Sequence, residues 1–145
     1  MQDTWVGGAS GAPVEIQALR VFIVEDDRMV IEAYREILRI NGFEVVGWSY
    51  NGEEAIKKFA ALNPRPDVII MDHRLPMKNG VETTAEILRI DPSARVLFVS
   101  ADTTCRSSAL SVGAAGFLRK PFELKEFVAT IRQLGEKAVP AASGR

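Results

Sequence analysis

The stretch Val68-Ile69-Ile70-Met71-Asp72-His73-Arg74-Leu75-Pro76 decides the fold. Its four consecutive apolar residues are too few for a helix and too apolar for a half-exposed strand, so they predict a central strand buried on both faces. The strand ends on the carboxylate of Asp72. In an open parallel sheet, ligands bind in the crevice beyond the carboxyl ends of the strands. Asp72 therefore stands where α/β proteins place their chemistry.

The composition is that of an ordinary globular chain with one core. The chain has 145 residues, of which 47% are hydrophobic and 26% charged, and its formal net charge is -1. It carries no basic run that would hold a nucleic-acid backbone and no apolar run as long as a membrane span, so we expect neither partner. The single cysteine, Cys105, and the lack of a signal-peptide pattern lead us to expect a cytoplasmic protein.

Apolar patterns predict strands and helices in strict alternation along the chain. β-branched and aromatic runs predict five strands, at 19–24, 43–48, 68–72, 95–100 and 116–119. Helical spacing and capping residues predict five helices, at 27–40, after Asn51, at 81–88 before Asp91-Pro92, at 103–112 and at 124–134. The predicted inward residues are Val81, Thr84, Ala85 and Leu88 in the third helix, and Leu124, Phe127 or Val128, Ile131 and Leu134 in the last helix, which should end before Gly135. Thr, Cys and Ser are spread through 103–112, so we expect that helix to be the least stable.

This alternation indicates the α/β class, with a doubly wound five-stranded parallel sheet covered by five helices. The favoured strand order is 2-1-3-4-5, which makes the first and third strands neighbours. We expect residues 1–18 to form a flexible N-terminal leader, 19–135 the folded domain and 136–145 a flexible C-terminal tail. The tail is too short to fold alone, so we expect no second domain after it.

Polar residues follow four of the predicted strands and would meet at one edge of the sheet. They are Glu25 and Asp26 just after the first strand, Asp72 at the end of the third, Ser100 at the end of the fourth and Lys120 just after the fifth. Carboxylates about 4 Å apart repel by roughly 4 kcal/mol per pair at an effective dielectric constant of about 20, so a cation is expected there. Oxygen ligands favour Mg²⁺ over zinc. A metal, an ammonium group and a hydroxyl would clamp a phosphoryl group, with Asp72 as the nucleophile.

Four motifs in this order resemble the receiver domain of two-component response regulators, which has a flavodoxin-like fold. They are Val-Phe-Ile-Val-Glu-Asp-Asp at 21–27, Val-Ile-Ile-Met-Asp-His-Arg-Leu-Pro-Met-Lys-Asn-Gly at 68–80, Val-Leu-Phe-Val-Ser-Ala at 96–101 and Gly-Ala-Ala-Gly-Phe-Leu-Arg-Lys-Pro-Phe at 113–122. Each motif alone is weak, but four in the right order are specific. The resemblance covers about residues 19–134.

The resemblance implies a role for each residue at the predicted edge. Asp72 would be the aspartate phosphorylated by a histidine kinase, Ser100 the hydroxyl that bonds the phosphoryl group, and Lys120 its salt-bridge partner. Mg²⁺ would be held by Glu25, Asp26, Asp72 and the main-chain carbonyl of Arg74. Phe117 would be the switch aromatic that responds when Ser100 moves. Spacing alone leaves the acidic register open, so Asp27 could replace one member of the acidic pair.

Two positions depart mildly from the family pattern. Ser100 stands where threonine is common, and Phe117 stands where chemotaxis regulators commonly have tyrosine. Because phenylalanine lacks the hydroxyl, any switch at Phe117 would work by packing. In this family, the positions of Arg74 and Asp102 often influence hydrolysis of the acyl phosphate, and we hypothesise that these two residues face each other and limit water access.

The resulting prediction is a stand-alone, chemotaxis-regulator-like receiver that is not an enzyme beyond its own phosphorylation and dephosphorylation. Its partners would be a histidine kinase and either an output protein or a second copy of the chain. The contact with the output protein or with the second copy would use the short helix 103–112, the fifth strand and the last helix. A Mg²⁺-dependent aspartate-nucleophile phosphatase or another phosphoryl-transfer enzyme is the main alternative, but such phosphatases usually carry an aspartate where this chain has Arg74. A flavodoxin and a silent binding module are weaker alternatives.

Overall fold

Strands and helices alternate throughout residues 17–138, the part of the chain described by the computed structural model. The strands are β1 Arg20–Val24, β2 Glu44–Ser49, β3 Val68–Asp72, β4 Val96–Ser100 and β5 Gly116–Arg119. The α-helices are α1 Arg28–Ile40, α2 Gly52–Ala61, α3 Gly80–Ile90, α4 Arg106–Ser111 and α5 Leu124–Ala138, and a 3₁₀ turn at Thr103–Cys105 precedes α4. The predicted leader and tail lie outside the described residues, except at positions 17–18 and 136–138.

The strands form one parallel sheet in the order β2-β1-β3-β4-β5, which confirms the predicted fold class and strand order. Val24 at the end of β1 lies opposite Met71 in β3, and Asp72 lies opposite Val99 in β4. Ser100 in turn lies opposite Arg119 in β5. This register brings the carboxyl ends of four strands to one edge, as predicted.

Two apolar layers cover the sheet because side chains alternate along each buried strand. All five residues of β3 and of β4 are buried. The layer under α1 and α5 is built from the sheet residues Val21, Ile23, Val68, Ile70, Leu97, Val99 and Leu118. The layer under α2, α3 and α4 is built from Phe22, Val24, Ile69, Met71, Val96 and Phe98.

The helices differ in how the free backbone N–H groups of their first turns are hydrogen-bonded. Asp27, Asn51 and Asn79 cap α1, α2 and α3 with side-chain oxygens that accept backbone N–H groups, and Glu82 completes a capping box on α3. The six-residue α4 has no side-chain cap. Asp102 instead caps the 3₁₀ turn that precedes α4, and the low stability of 103–112 stays a prediction.

The inward face of α3 differs in part from the predicted stripe. The sequence favours Val81, Thr84, Ala85 and Leu88, whereas the buried residues are Gly80, Thr83, Thr84 and Ile87. The helix is rotated by about one residue because it packs against α2, where the small residues Gly52 and Ala55 are buried. The prediction was therefore correct for the helix and for Thr84. Val81, Ala85 and Leu88 are only half-buried, although Val81 packs against the apolar layer.

The last helix also departs from expectation at both ends. Leu124, predicted to line its inner face, is 56% exposed. The helix continues past Gly135, and a Cβ added at Gly135 would lie 2.8 Å from Leu19 Cδ1. This glycine permits close packing and does not end the helix.

Among residues 17–138, none of the helices combines the length and the apolar composition that a membrane span requires.

Candidate functional site

Three carboxylates meet at the carboxyl edge of β1 and β3. Glu25 and Asp26 follow β1 and Asp72 ends β3, and one carboxylate oxygen from each lies within 4.8 Å of the others. Lys120, which follows β5, places Nζ 3.1 Å from Asp72 Oδ1 and 3.7 Å from Glu25 Oε1. Four of the predicted site residues are thus gathered in one cluster, although they are separated by up to 95 positions in the chain.

Glu25 contributes a buried carboxylate to this cluster. Its side chain is almost fully buried, Oε2 accepts the Asp27 N–H at 3.0 Å, and Oε1 has no hydrogen-bond partner. Burial raises the pKa of Glu25 to about 7, since the bond from Asp27 and the Lys120 charge do not offset desolvation and the nearby Asp72 and Asp26 charges. A buried carboxylate oxygen without a partner is an available ligand.

Asp27 does not belong to the acidic cluster. Its Oδ1 accepts N–H bonds from Met29 at 2.9 Å and from Val30 at 3.4 Å, so the side chain is used as the cap of α1. The carboxylates that converge on Asp72 are therefore those of Glu25 and Asp26.

The donor set fits a hard divalent cation. Its ligands are carboxylate oxygens, one of which is buried without a hydrogen bond, and Asp26 is exposed at the mouth of the cluster. With all three carboxylates ionised and Lys120 protonated, two negative charges remain uncompensated. Oxygen ligands and excess negative charge suit Mg²⁺, which binds one or two carboxylates and keeps several waters.

Ser100 ends β4 beside this cluster and is almost fully buried. Its Oγ accepts the Asp102 N–H at 3.0 Å, and its main-chain carbonyl accepts the Lys120 N–H at 3.0 Å. The second hydrogen bond fixes the backbone of Lys120 beside the end of β4. The peptide bond that follows, between Lys120 and Pro121, is cis. The Ser100 hydroxyl hydrogen remains available as a donor.

The other two predicted residues, Arg74 and Phe117, lie on the β3–α3 loop and on β5. Arg74 is exposed in the loop that joins β3 to α3, and it forms no ion pair within residues 17–138. Phe117 is half-buried in β5 and stacks on Phe98 of β4, with ring centroids 6.0 Å apart and an angle of 15° between the rings.

Gly80, the first residue of α3, shapes the site in a way that the sequence analysis missed. A Cβ at this position would clash with the Asp72 carbonyl and lie 2.8 Å from both His73 Cα and Phe98 Cζ. Its N–H also donates to the His73 carbonyl at 2.9 Å. A glycine eight residues after the strand-end aspartate was the available signal, but a loop glycine is usually explained by turn geometry alone.

A model of the response regulator receiver domain family matches residues 21–132. The chain belongs to this family. It is 33% identical over 119 residues to the chemotaxis protein CheY of Thermotoga maritima, covering 81% of this chain and 98% of that protein. It is 37% identical over 120 residues to the response regulator GacA of Pseudomonas viridiflava, covering 79% of this chain but only 54% of GacA.

Solved structures of receiver domains share the fold. The response regulator domain of Thermotoga maritima CheB has a TM-score of 0.75 at 30% identity, covering 83% of this chain and 98% of that one. CheY in the CheX-CheY-BeF3-Mg²⁺ complex of Borrelia burgdorferi has a TM-score of 0.76 at 25% identity, covering 86% and 91%. The protein is thus a response regulator receiver domain of two-component signalling, with the flavodoxin-like strand order of its CheY-like neighbours.

Proposed function

We propose that this receiver domain accepts a phosphoryl group on Asp72 from a histidine kinase in a Mg²⁺-dependent reaction. One observation carries the proposal: three carboxylates from β1 and β3 converge within 4.8 Å, while the Lys120 ammonium group lies 3.1 Å from Asp72 Oδ1. No other cluster of three or more His, Cys, Asp or Glu side chains occurs within residues 17–138.

In the proposed step, a carboxylate oxygen of Asp72 attacks phosphorus as the bond from phosphorus to the histidine nitrogen breaks. When the other ring nitrogen of the phosphohistidine is protonated, the departing nitrogen keeps the bonding electron pair, and the products are an acyl phosphate on Asp72 and a neutral imidazole on the kinase. Lys120 stabilises the negative phosphoryl oxygens, and the Ser100 hydroxyl donates to one of them. Bound Mg²⁺ would neutralise further charge on these oxygens. Its ligands would be Glu25, Asp26, Asp72 and the main-chain carbonyl of Arg74.

The proposed output is a change in the face formed by α4, β5 and α5. Ser100 and the loop after it would move toward the phosphoryl group, and Phe117 would repack, shifting the population between two arrangements. The uncapped α4 and the half-buried Phe117 support this location. The changed face would bind an output protein or a second copy of the chain. A kinase partner further implies a cytoplasmic site of action.

An aspartate-nucleophile phosphatase is less well supported. Such an enzyme would need a general acid two residues after the nucleophile, and Arg74 stands there. We therefore propose that the protein catalyses only its own phosphorylation and dephosphorylation. The Borrelia relative, captured with beryllofluoride and Mg²⁺, supports phosphoryl-group binding as the role of the corresponding site here.

The test is mass spectrometry of the intact protein after incubation with acetyl phosphate and Mg²⁺. We expect the wild type to gain the mass of one phosphoryl group, which EDTA prevents and Asp72→Asn abolishes. Asp91→Asn is the matched control, because Asp91 is a carboxylate at the end of α3 that bonds Ser93 and lies outside the acidic cluster. An unmodified wild type, or a modified Asp72→Asn variant, would overturn the proposal.

A further inference from the structure

Phe98 lies between the loop that follows Asp72 and the aromatic ring of Phe117. Strand β4 separates β3 from β5, and Phe98 is opposite Met71 on one side and Phe117 on the other. Its side chain is fully buried on the face covered by α3 and α4. A side chain at this position can therefore contact structures on both neighbouring strands.

On the side of the site, Phe98 packs against the backbone that leaves Asp72. Its ring centroid is 5.7 Å from that of His73, the residue after Asp72. Its Cζ would lie 2.8 Å from a Cβ at Gly80, so the ring occupies space that only a glycine leaves open. The two ends of the β3–α3 loop, His73 and Gly80, thus rest against one ring.

On the output side, Phe98 stacks nearly parallel on Phe117, with ring centroids 6.0 Å apart. The guanidinium carbon of Arg106, the first residue of α4, lies 6.0 Å from the centroid of the Phe117 ring. Because Phe117 has no hydroxyl, its ring contacts are the means by which it can sense the site. A packed path therefore runs from the loop through Phe98 and Phe117 to α4.

We propose that Phe98 is a positioning residue that holds the β3–α3 loop in its binding geometry and couples it to Phe117. This inference rests on the proposed function, because the coupled event is phosphoryl-group binding at Asp72. Coupling between two sites is reciprocal, so a change at Phe117 must alter ligand affinity at Asp72 to the extent that Phe98 connects them.

A double-mutant cycle tests this coupling, with beryllofluoride at saturating Mg²⁺ as the probe and the thermal shift as the measure of affinity. We expect Phe98→Leu to weaken binding at least about threefold, because the loop loses its support. Phe117→Leu should also weaken binding in the wild type, since Phe98 loses its stacking partner. In the Phe98→Leu background, Phe117→Leu should have no further effect. Phe98→Met, which removes the ring but keeps a long and flexible apolar side chain, provides a milder version of the same cycle.

Phe22→Leu is the matched control. Phe22 is a fully buried phenylalanine in the same layer, and it is in none of the aromatic pairs found among residues 17–138. It should lower the melting temperature about as much as Phe98→Leu while leaving the effect of Phe117→Leu intact. Independent, multiplicative effects of Phe98→Leu and Phe117→Leu would overturn the coupling, as would the same non-additivity with Phe22→Leu. A wild type that fails to bind beryllofluoride would overturn the proposed function as well.

Discussion

Strands β1 and β3 pack against each other in two different ways along their length. In the middle, Phe22 lies beside Ile69 and Ile23 beside Ile70, and all four side chains are buried among other apolar groups. At the carboxyl ends, the same pairing brings Glu25 and Asp26 against Asp72. Burial lowers the free energy of the folded state in the first region and raises the free energy of the ionised carboxylates in the second.

This difference separates the part of the sheet that stabilises the fold from the part that binds ligand. The apolar middle supplies the stability that keeps mutually repelling carboxylates together. The acidic end would lower its own free energy only by protonation or by binding a cation. Substitutions in the apolar middle should therefore lower folding stability and leave Mg²⁺ affinity nearly unchanged. Substitutions at the acidic end should weaken Mg²⁺ binding without lowering the stability of the metal-free protein.

The largest effect is expected in the apolar middle, for Ile69→Ala. Ile69 is fully buried between Phe22 and Val96 of the neighbouring strands. Its truncation should reduce the free energy of unfolding by about 4 kcal/mol, since it removes apolar contacts and leaves a cavity. Urea unfolding measures the stability, and titration calorimetry measures the dissociation constant for Mg²⁺, which should stay within about twofold of wild type. A large loss of Mg²⁺ affinity would show that the two regions are not separable.

Much of this contrast could be predicted from the sequence. The run from Val68 to Met71 has the composition of a buried strand, and the alternation of strands with helices then fixes a parallel sheet. Because parallel strands end at the same edge, Glu25, Asp26, Asp72 and Lys120 could be assigned to one cluster before any distance was known. The resemblance to receiver domains named their roles, which remain predictions here.

What could not be predicted depends on packing in three dimensions. Helical periodicity located α3 but did not choose between Thr83 and Leu88 as the inward residue, because that choice depends on the contact with α2. Gly135 resembled a helix end, whereas its role is to let α5 approach Leu19. The raised pKa of Glu25 was also hidden, since it depends on burial of one carboxylate oxygen without a hydrogen-bond partner.

The next largest effect is expected at the acidic end, for Glu25→Gln without Mg²⁺. The pKa of Glu25 is about 7 in the folded protein against an ordinary value of 4.5. Between these values the folded state binds more protons than the unfolded state, so the stability contributed by protonated Glu25 is lost as pH rises from about 4.5 to 7. Glu25→Gln removes this pH dependence, so the free energy of unfolding of the variant should exceed that of the wild type by up to about 3 kcal/mol at pH 8.

Denaturant unfolding in EDTA at pH 5, 6, 7 and 8 measures this difference. The gain of Glu25→Gln over wild type should grow with pH and then level off. Saturating Mg²⁺ at pH 8 should raise the free energy of unfolding of the wild type, because the metal binds its native state. The same addition should raise that of Glu25→Gln less. A stability difference that does not vary with pH would show that Glu25 titrates normally.

A smaller effect is expected from the paired variants Asp26→Asn and Asp27→Asn. Each replaces one carboxylate by an amide of nearly the same shape, at adjacent positions. Asp26 is in the acidic cluster, so its variant should bind Mg²⁺ about tenfold more weakly, a change of about 1.4 kcal/mol. Asp27 caps α1, and asparagine caps helices equally well, so its variant should keep both stability and Mg²⁺ affinity. Titration calorimetry of both proteins decides the matter, and the reverse ranking would move the metal site to Asp27.

The smallest effect is expected for Arg74 and Asp102, which we propose to lie at the mouth of the acidic end. Hydrogen bonds from Thr104 lower the pKa of Asp102, and the positive charge of Arg74 lowers it further, although the two side chains form no ion pair. Exposed charges interact weakly, and Asp102→Asn keeps the oxygen that accepts the Thr104 N–H. If the two residues limit water access, Arg74→Ala and Asp102→Asn should each shorten the lifetime of the acyl phosphate about twofold. Mass spectrometry at timed intervals measures the loss of the phosphoryl group, with Asp91→Asn as the control. Unchanged lifetimes in both variants would show that Arg74 and Asp102 do not limit water access. The rate of hydrolysis would then be set by the buried groups of the site.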